Sequence, residues 1–170
     1  MPFITTKTNF IEVIIFAWLM VFIVGKRRDR KALVIVIFVV LASDFTTDIL
    51  KDFIQRGRPC NALSDIRILV GCTKSFSFPS GHATNAFAVA VYLSYNYRKY
   101  SPLLFLMAVL IAYSRIYVGV HYPLDIAGGV LVGAAGALLA IKADKRFSPV
   151  VALWFNKKFR EKEQWIDKIP

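Results

Sequence analysis

Residues 77–93 read SFPSGHATNAFAVAVYL. With its continuation to Tyr95 the run is long and apolar enough to cross a bilayer. It nevertheless opens on Pro-Ser-Gly-His. Small and polar residues are a poor start for a segment that only has to sit in lipid. They are a good start for a helix whose first turn holds an anion. Pro79 suits that turn because its missing N–H would be unpaired anyway. Ser80, Gly81 and His82 follow with backbone N–H groups free of helical partners, and such an N-terminus attracts negative charge. Gly81 lets a ligand approach the backbone. A plain helix cap by Ser77 or Ser80 accounts for the serines, but not for the histidine.

Outward from this stretch, apolar runs recur. Five lie at 10–25, 32–54, 78–95, 102–120 and 124–141, each close to a bilayer span in length. A soluble core helix explains any one of them, but not five in 170 residues that are 56% hydrophobic, with a mean hydropathy of +0.53. A sixth run, 148–155, is about half the needed length and is expected to lie at the membrane surface, with Trp154 and Trp165 near the headgroups. The fold expected is therefore an all-α integral-membrane bundle of about five transmembrane helices plus a short interfacial C-terminal helix. It forms a single domain over 1–170, with a basic tail at 142–170.

The net charge of +11 would suit nucleic acid, but its placement suits a membrane. Fifteen of the 22 Lys and Arg fall in the 26–31 turn, at Arg98 and Lys99, and in the tail, all on one side if the spans alternate. The positive-inside rule makes that side cytoplasmic and places the N-terminus outside. The charges follow the first apolar run, whereas a signal peptide carries them before it, so that run is expected to be retained. Seven basic residues remain on the outer side: Lys7, Lys51, Arg56, Arg58, Arg67, Lys74 and Arg115. Cys60 and Cys72 share the outer loop after the second span. An oxidising compartment would let them pair, and the alternative is two separate thiols. No His or further Cys stands near them as a metal site would need.

Polar residues at a membrane edge need a reason. The second span ends ASDFTTDILKDFIQRGRP (42–59), where Lys51 and Arg58 lie two turns apart on one helix face. Snorkelling at the interface explains that pair equally well. The fourth and fifth spans meet at SRIYVGVHYPLD (114–125). There Arg115 closes one helix, and His121 and Asp125 are expected to open the next, four apart, one helical turn. At that spacing a carboxylate can take one imidazole nitrogen and leave the other free. Alternating spans bring Lys51, Arg58, Ser80, Gly81, His82, Arg115, His121 and Asp125 to the same outer end. Three cations and a helix N-terminus describe a pocket for a phosphate-sized dianion, and two His with one Asp describe acid–base or nucleophilic chemistry on it.

Taken together, K-x6-RP (51–59), PSGH (79–82) and SR-x5-H-x3-D (114–125) resemble the three-part signature of the type 2 phosphatidic acid phosphatase superfamily. All eleven fixed positions are present, in order, over residues 51–125. The resemblance implies a metal-independent phosphatase, without cofactor, that works through a phosphohistidine. His121 would be the nucleophile, Asp125 its orienter and His82 the acid for the leaving oxygen. Lys51, Arg58, Arg115, the Ser80 hydroxyl and the Gly81 N–H would hold the phosphate oxygens. Many membrane members carry six spans where this chain has five and a short piece. Soluble members exist, and this composition excludes them.

The substrate implied is a phosphorylated membrane lipid, monophosphate or diphosphate, cleaved on the periplasmic face of a bacterial inner membrane. The small bacterial relatives act on lipid A, undecaprenyl diphosphate or phosphatidylglycerophosphate. Arg67, Lys74 and Arg56 add cations suited to a diphosphate or a large anionic headgroup, and the reading leans to a lipid A 1-phosphatase. No nucleic-acid partner is expected. Two rivals are a protein that binds or transports lipid phosphates without cleaving them, and a vanadate-dependent peroxidase. Asp44 and Asp48 lie outside the signature, below Lys51, and are read as structural more than catalytic. Gly129 and Gly133 form a GxxxG that serves close packing within the chain or a dimer face.

Overall fold

The computed structural model describes residues 11–62 and 71–166, with side chains over 18–62 and 71–148. Every regular element among them is helical: α1 (Ile11–Val24), α2 (Arg27–Ile54), α3 (Pro59–Ala62), α4 (Gly81–Asn96), a 3₁₀ turn (Arg98–Tyr100), α5 (Ser101–Tyr117) and α6 (Pro123–Ile166). Three stretches are long and apolar enough to cross a membrane: Arg27–Ala62, Arg98–Tyr117 and Pro123–Ser148. α4 is shorter, at 16 residues or about 24 Å.

Local chemistry sets the boundaries. Asp29 accepts from the Lys26 N–H at 2.9 Å and starts α2 with a reciprocal cap. At the other end Gln55 adopts a left-handed conformation (φ 50°) and its N–H returns to the Lys51 carbonyl. That turn lifts the chain off the helix and delivers Arg56 and Arg58 to the top of the bundle. Gly119, at φ 78°, performs the same turn after α5. His121 follows it in irregular chain, before Pro123 opens α6. The fourfold spacing of His121 and Asp125 is therefore not one turn of a helix. Asp125 sits in the first turn of α6, and His121 precedes that helix.

α4 is the centre of the bundle. It packs against α6, α5 and α2, while α1 lies against α2. The backbones of α2 and α5 stay apart, so α4 forms the floor of a cleft between them. The closest approach is between α4 and α6. A Cβ on Gly133 would fall 2.1 Å from the Thr84 carbonyl oxygen, and one on Gly129 2.7 Å from that of Ser80. The GxxxG thus serves packing within the chain. The interior is built from small residues, among them Ala83, Ala88, Ala90, Ala112 and Ala137, while Phe38, Phe45, Phe53 and Leu131 stand outward. Large apolar side chains outside and small ones inside are what a lipid solvent favours.

The expected separate interfacial helix at 148–155 is not separate. α6 runs unbroken through it to Ile166. Near the N-terminal end of α2, Lys31 joins it to α6 through Asp144 at 2.6 Å, and the Tyr97 hydroxyl donates to Asp29 at 2.5 Å.

Candidate active site

At the C-terminal end of α2 the cleft opens into a cavity of about 780 Å³. Lys51, Arg58, Gly81, His82, Arg115 and His121, drawn from three helices and two loops, line it together. Gly81 keeps the floor low: a Cβ there would approach Thr47 Cγ2 at 3.6 Å and Lys51 Nζ at 3.9 Å. Lys51 thus reaches down over the first turn of α4, where the helix dipole is also positive. Arg58 and Arg115 are both buried. Like charges gathered away from water are costly unless an anion compensates them.

Arg58 is held in one orientation. Nε donates to the Ser75 carbonyl at 2.7 Å, Nη2 to Ser75 Oγ at 2.9 Å, and Nη1 to the Val120 carbonyl at 3.3 Å. Cys60 and Cys72 are joined in a disulfide, with Cα atoms 6.1 Å apart, which ties α3 to the loop that carries Ser75. Arg58 Nη1 also lies 3.3 Å from His121 Nε2. The Nε2 edge of that imidazole therefore faces the cation lining the cavity, while Nδ1 faces away from it.

On the inward side Asp125 is fully buried and saturated with donors. Its Oδ2 accepts from the Ser77 hydroxyl at 2.5 Å and the Tyr122 N–H at 2.8 Å, and Oδ1 from Arg56 Nη1 at 2.8 Å. His121 Nδ1 stands 3.5 Å from Oδ2 and 3.4 Å from Ser77 Oγ. The hydroxyl is thus a third member between acid and imidazole. Burial pushes the His121 pKa below its ordinary value of 6.5, the Arg58 and Arg115 charges push the same way, and Asp125 opposes them. A neutral imidazole with Nδ1–H turned to the carboxylate keeps a lone pair on Nε2.

Among the candidates read from the sequence, Lys51, Arg58, Gly81, His82, Arg115 and His121 share one cavity. Asp125 lies behind His121. Ser80 does not reach the cavity wall: it is fully buried, and its N–H donates to the Asp125 carbonyl at 3.0 Å. Arg56, read as an extra cation for the substrate, is instead spent on Asp125, its guanidinium 4.3 Å above the Tyr122 ring. Ser77 was visible only as a capping candidate. Arg67 lies outside the described residues. Asp48 stands 3.7 Å from Lys51, and Asp44 accepts from Asn85 at 2.7 Å. Among the described residues no group of three His, Cys, Asp or Glu is placed to hold a metal.

Comparison with known proteins gives the chain a family. The family model described as the PAP2 superfamily matches residues 32–149. A lipid A 4'-phosphatase of Bacteroides thetaiotaomicron is 33% identical, over 62% of this chain and 50% of its own length. An undecaprenyl-diphosphatase of Sulfolobus acidocaldarius is 32% identical over 72% and 59%. Phosphatidylglycerophosphatase B of Bacillus subtilis is 36% identical over 67% and 54%. The chain spans about half the length of these curated relatives. Among solved structures, Aquifex aeolicus LpxE superposes with a TM-score of 0.69 at 30% identity, covering 83% of this chain and 82% of that one. The PAP2-type phosphatidylglycerolphosphate phosphatase of Bacillus subtilis gives 0.65 at 26% identity, over 85% and 74%.

Proposed function

We propose, since the chain belongs to the PAP2 superfamily, that it is a lipid phosphatase that uses His121 as its nucleophile. The observation that carries the reading is the convergence of His121, His82, Lys51, Arg58 and Arg115 on one cavity. A phosphate between the three cations would draw Arg58 off His121 Nε2 and onto its own oxygens. Nε2 then attacks phosphorus as the bond to the leaving oxygen breaks, and His82 gives that oxygen its proton. Asp125, held by Ser77 and Arg56, steadies the cationic imidazole. Water next attacks the phosphohistidine, His82 takes its proton, and the N–P bond breaks to release inorganic phosphate. Phosphoryl transfer needs mainly positioning and charge stabilisation, which fixed guanidinium and ammonium groups supply.

The substrate is a membrane lipid phosphate or diphosphate, whose tail lies in the α2–α5 cleft while its phosphate enters at the outer end. Positive-inside asymmetry and the disulfide support a site on the periplasmic side of the inner membrane, with the C-terminus in the cytoplasm. The names of the relatives span lipid A, undecaprenyl diphosphate and phosphatidylglycerophosphate. The lean is to lipid A, cleaved at the 1-phosphate. Release of inorganic phosphate from the three lipids side by side tests it. Turnover of lipid A at least equal to the others is expected, and no release from lipid A beside good turnover of another would overturn the lean.

A further inference from the structure

Asp44, Asp48 and Asn85 line the same cavity as the cations, yet no step of the proposed reaction uses them. Their position along the helices is informative. Asn85 follows His82 by three residues, one turn inward on the same side of α4. Thr47 sits level with Gly81, so Asp44 is also about one turn, roughly 5 Å, deeper than the phosphate floor. The two meet across the helices, Asn85 Nδ2 donating to Asp44 Oδ1 at 2.7 Å. They form a polar ledge just where a leaving group must lie if His82 protonates its oxygen. The opposite wall is apolar, with Leu104, Met107 and Ile111.

The ledge is rich in acceptors. Asn85 spends an N–H on Asp44, and Asn85 Oδ1 is buried with no hydrogen-bond partner among the described residues. The second oxygen of Asp44 and the carboxylate of Asp48 add to the count. Acceptors that line a cavity call for donors on its occupant, and a prenyl chain offers none. We infer that Asp44 and Asn85 select the leaving group: it is an alcohol carrying hydroxyl or amide N–H donors close to the phosphate ester, as in a glycerol or amino-sugar lipid, and not a bare prenyl diphosphate. This inference rests on the phosphatase reading above and narrows its substrate.

The test compares kcat/KM of the full chain and of Asp44→Asn and Asn85→Leu on four compounds in detergent. Phosphatidylglycerophosphate carries a glycerol hydroxyl, lipid A carries sugar hydroxyls and amides, and farnesyl phosphate and farnesyl diphosphate carry neither. The ratio of the donor-bearing substrates to farnesyl phosphate should fall about tenfold or more in Asn85→Leu, because a site built for a donor loses its discrimination with the acceptor. Asp44→Asn should lower the same ratio, because it removes the charge from the neighbouring acceptor. Which donor-bearing lipid loses more separates a glycerol from a sugar as the natural leaving group. Ratios within about twofold of the parent, whatever the absolute rates, would assign the pair to helix packing and overturn the inference. If the parent cleaves none of the four, the phosphatase reading fails by itself. Thermal stabilisation by glycerol 1-phosphate against methyl phosphate, in parent and Asn85→Leu, then decides the ledge: an equal gain in both proteins overturns it.

Discussion

At the scale of the residue, the arrangement around Asp125 is more elaborate than an acid beside a histidine. A fully buried carboxylate is tolerable only when its oxygens are satisfied, and here Ser77, Tyr122 and Arg56 satisfy them. Arg56 touches neither the cavity nor His121, so it acts as a positioning residue. Its removal leaves the carboxylate uncompensated, which stabilises the imidazolium and raises the His121 pKa. In the parent, burial holds that pKa below 6.5, so the neutral nucleophile persists as the pH falls and the acid limb of kcat/KM lies under that value. Arg56→Ala should lower kcat about 10- to 100-fold and move the limb upward, with partial recovery in Arg56→Lys. An unmoved limb in a folded Arg56→Ala protein would contradict this role. The three cations and both histidines that share the cavity were legible because their types are out of place at a membrane edge. Arg56 was equally out of place, but nothing in its position told a substrate contact from a carboxylate clamp. That distinction is made by the Gln55 turn, which only the folded backbone displays.

At the scale of the element, α4 and α6 decide whether the site exists. Their contact runs through Gly129 and Gly133 against the backbone of Ser80, Thr84 and Ala88. These are the turns that also present His82 and Asn85. Gly133→Val would drive a side chain into the Thr84 carbonyl and part the helices. We expect a loss of about 1–3 kcal/mol in stability, read as a lower unfolding temperature in detergent, together with reduced activity. Gly133→Val with unchanged melting would mean that the two helices are not so closely packed. Hydropathy located every one of these helices, because lipid contact is a local property of a sequence. It misjudged the end of α6. The basic residues after Ile141 show where the chain leaves the apolar layer, but Lys and Arg are good helix formers and do not stop a helix. The spacing of His121 and Asp125 misled for a related reason: a four-residue interval indicates one turn only inside a helix, and Gly119 ends α5 just before it.

At the scale of the whole molecule, the bundle is a frame that joins two environments. One end of the bundle gathers Lys51, Arg58 and Arg115 around a cavity whose other wall is apolar, and the cleft over α4 lies between α2 and α5. A second, apolar pocket toward the other end of the bundle is lined by Ala32, Leu33, Leu93 and Leu103. Inward cohesion comes from the Lys31–Asp144 pair and the small-residue core, outward cohesion from the disulfide and the Arg58 contacts. The central claim is that this frame makes His121 a nucleophile toward lipid phosphate with no metal assisting. Its most direct test is inorganic phosphate release by the purified protein in detergent with excess EDTA, beside a folded His121→Ala variant. The account predicts release that survives EDTA and falls to background in the variant. Undiminished release by His121→Ala would contradict the assignment of the nucleophile, and lipid-phosphate binding without any release would mark the protein as a carrier.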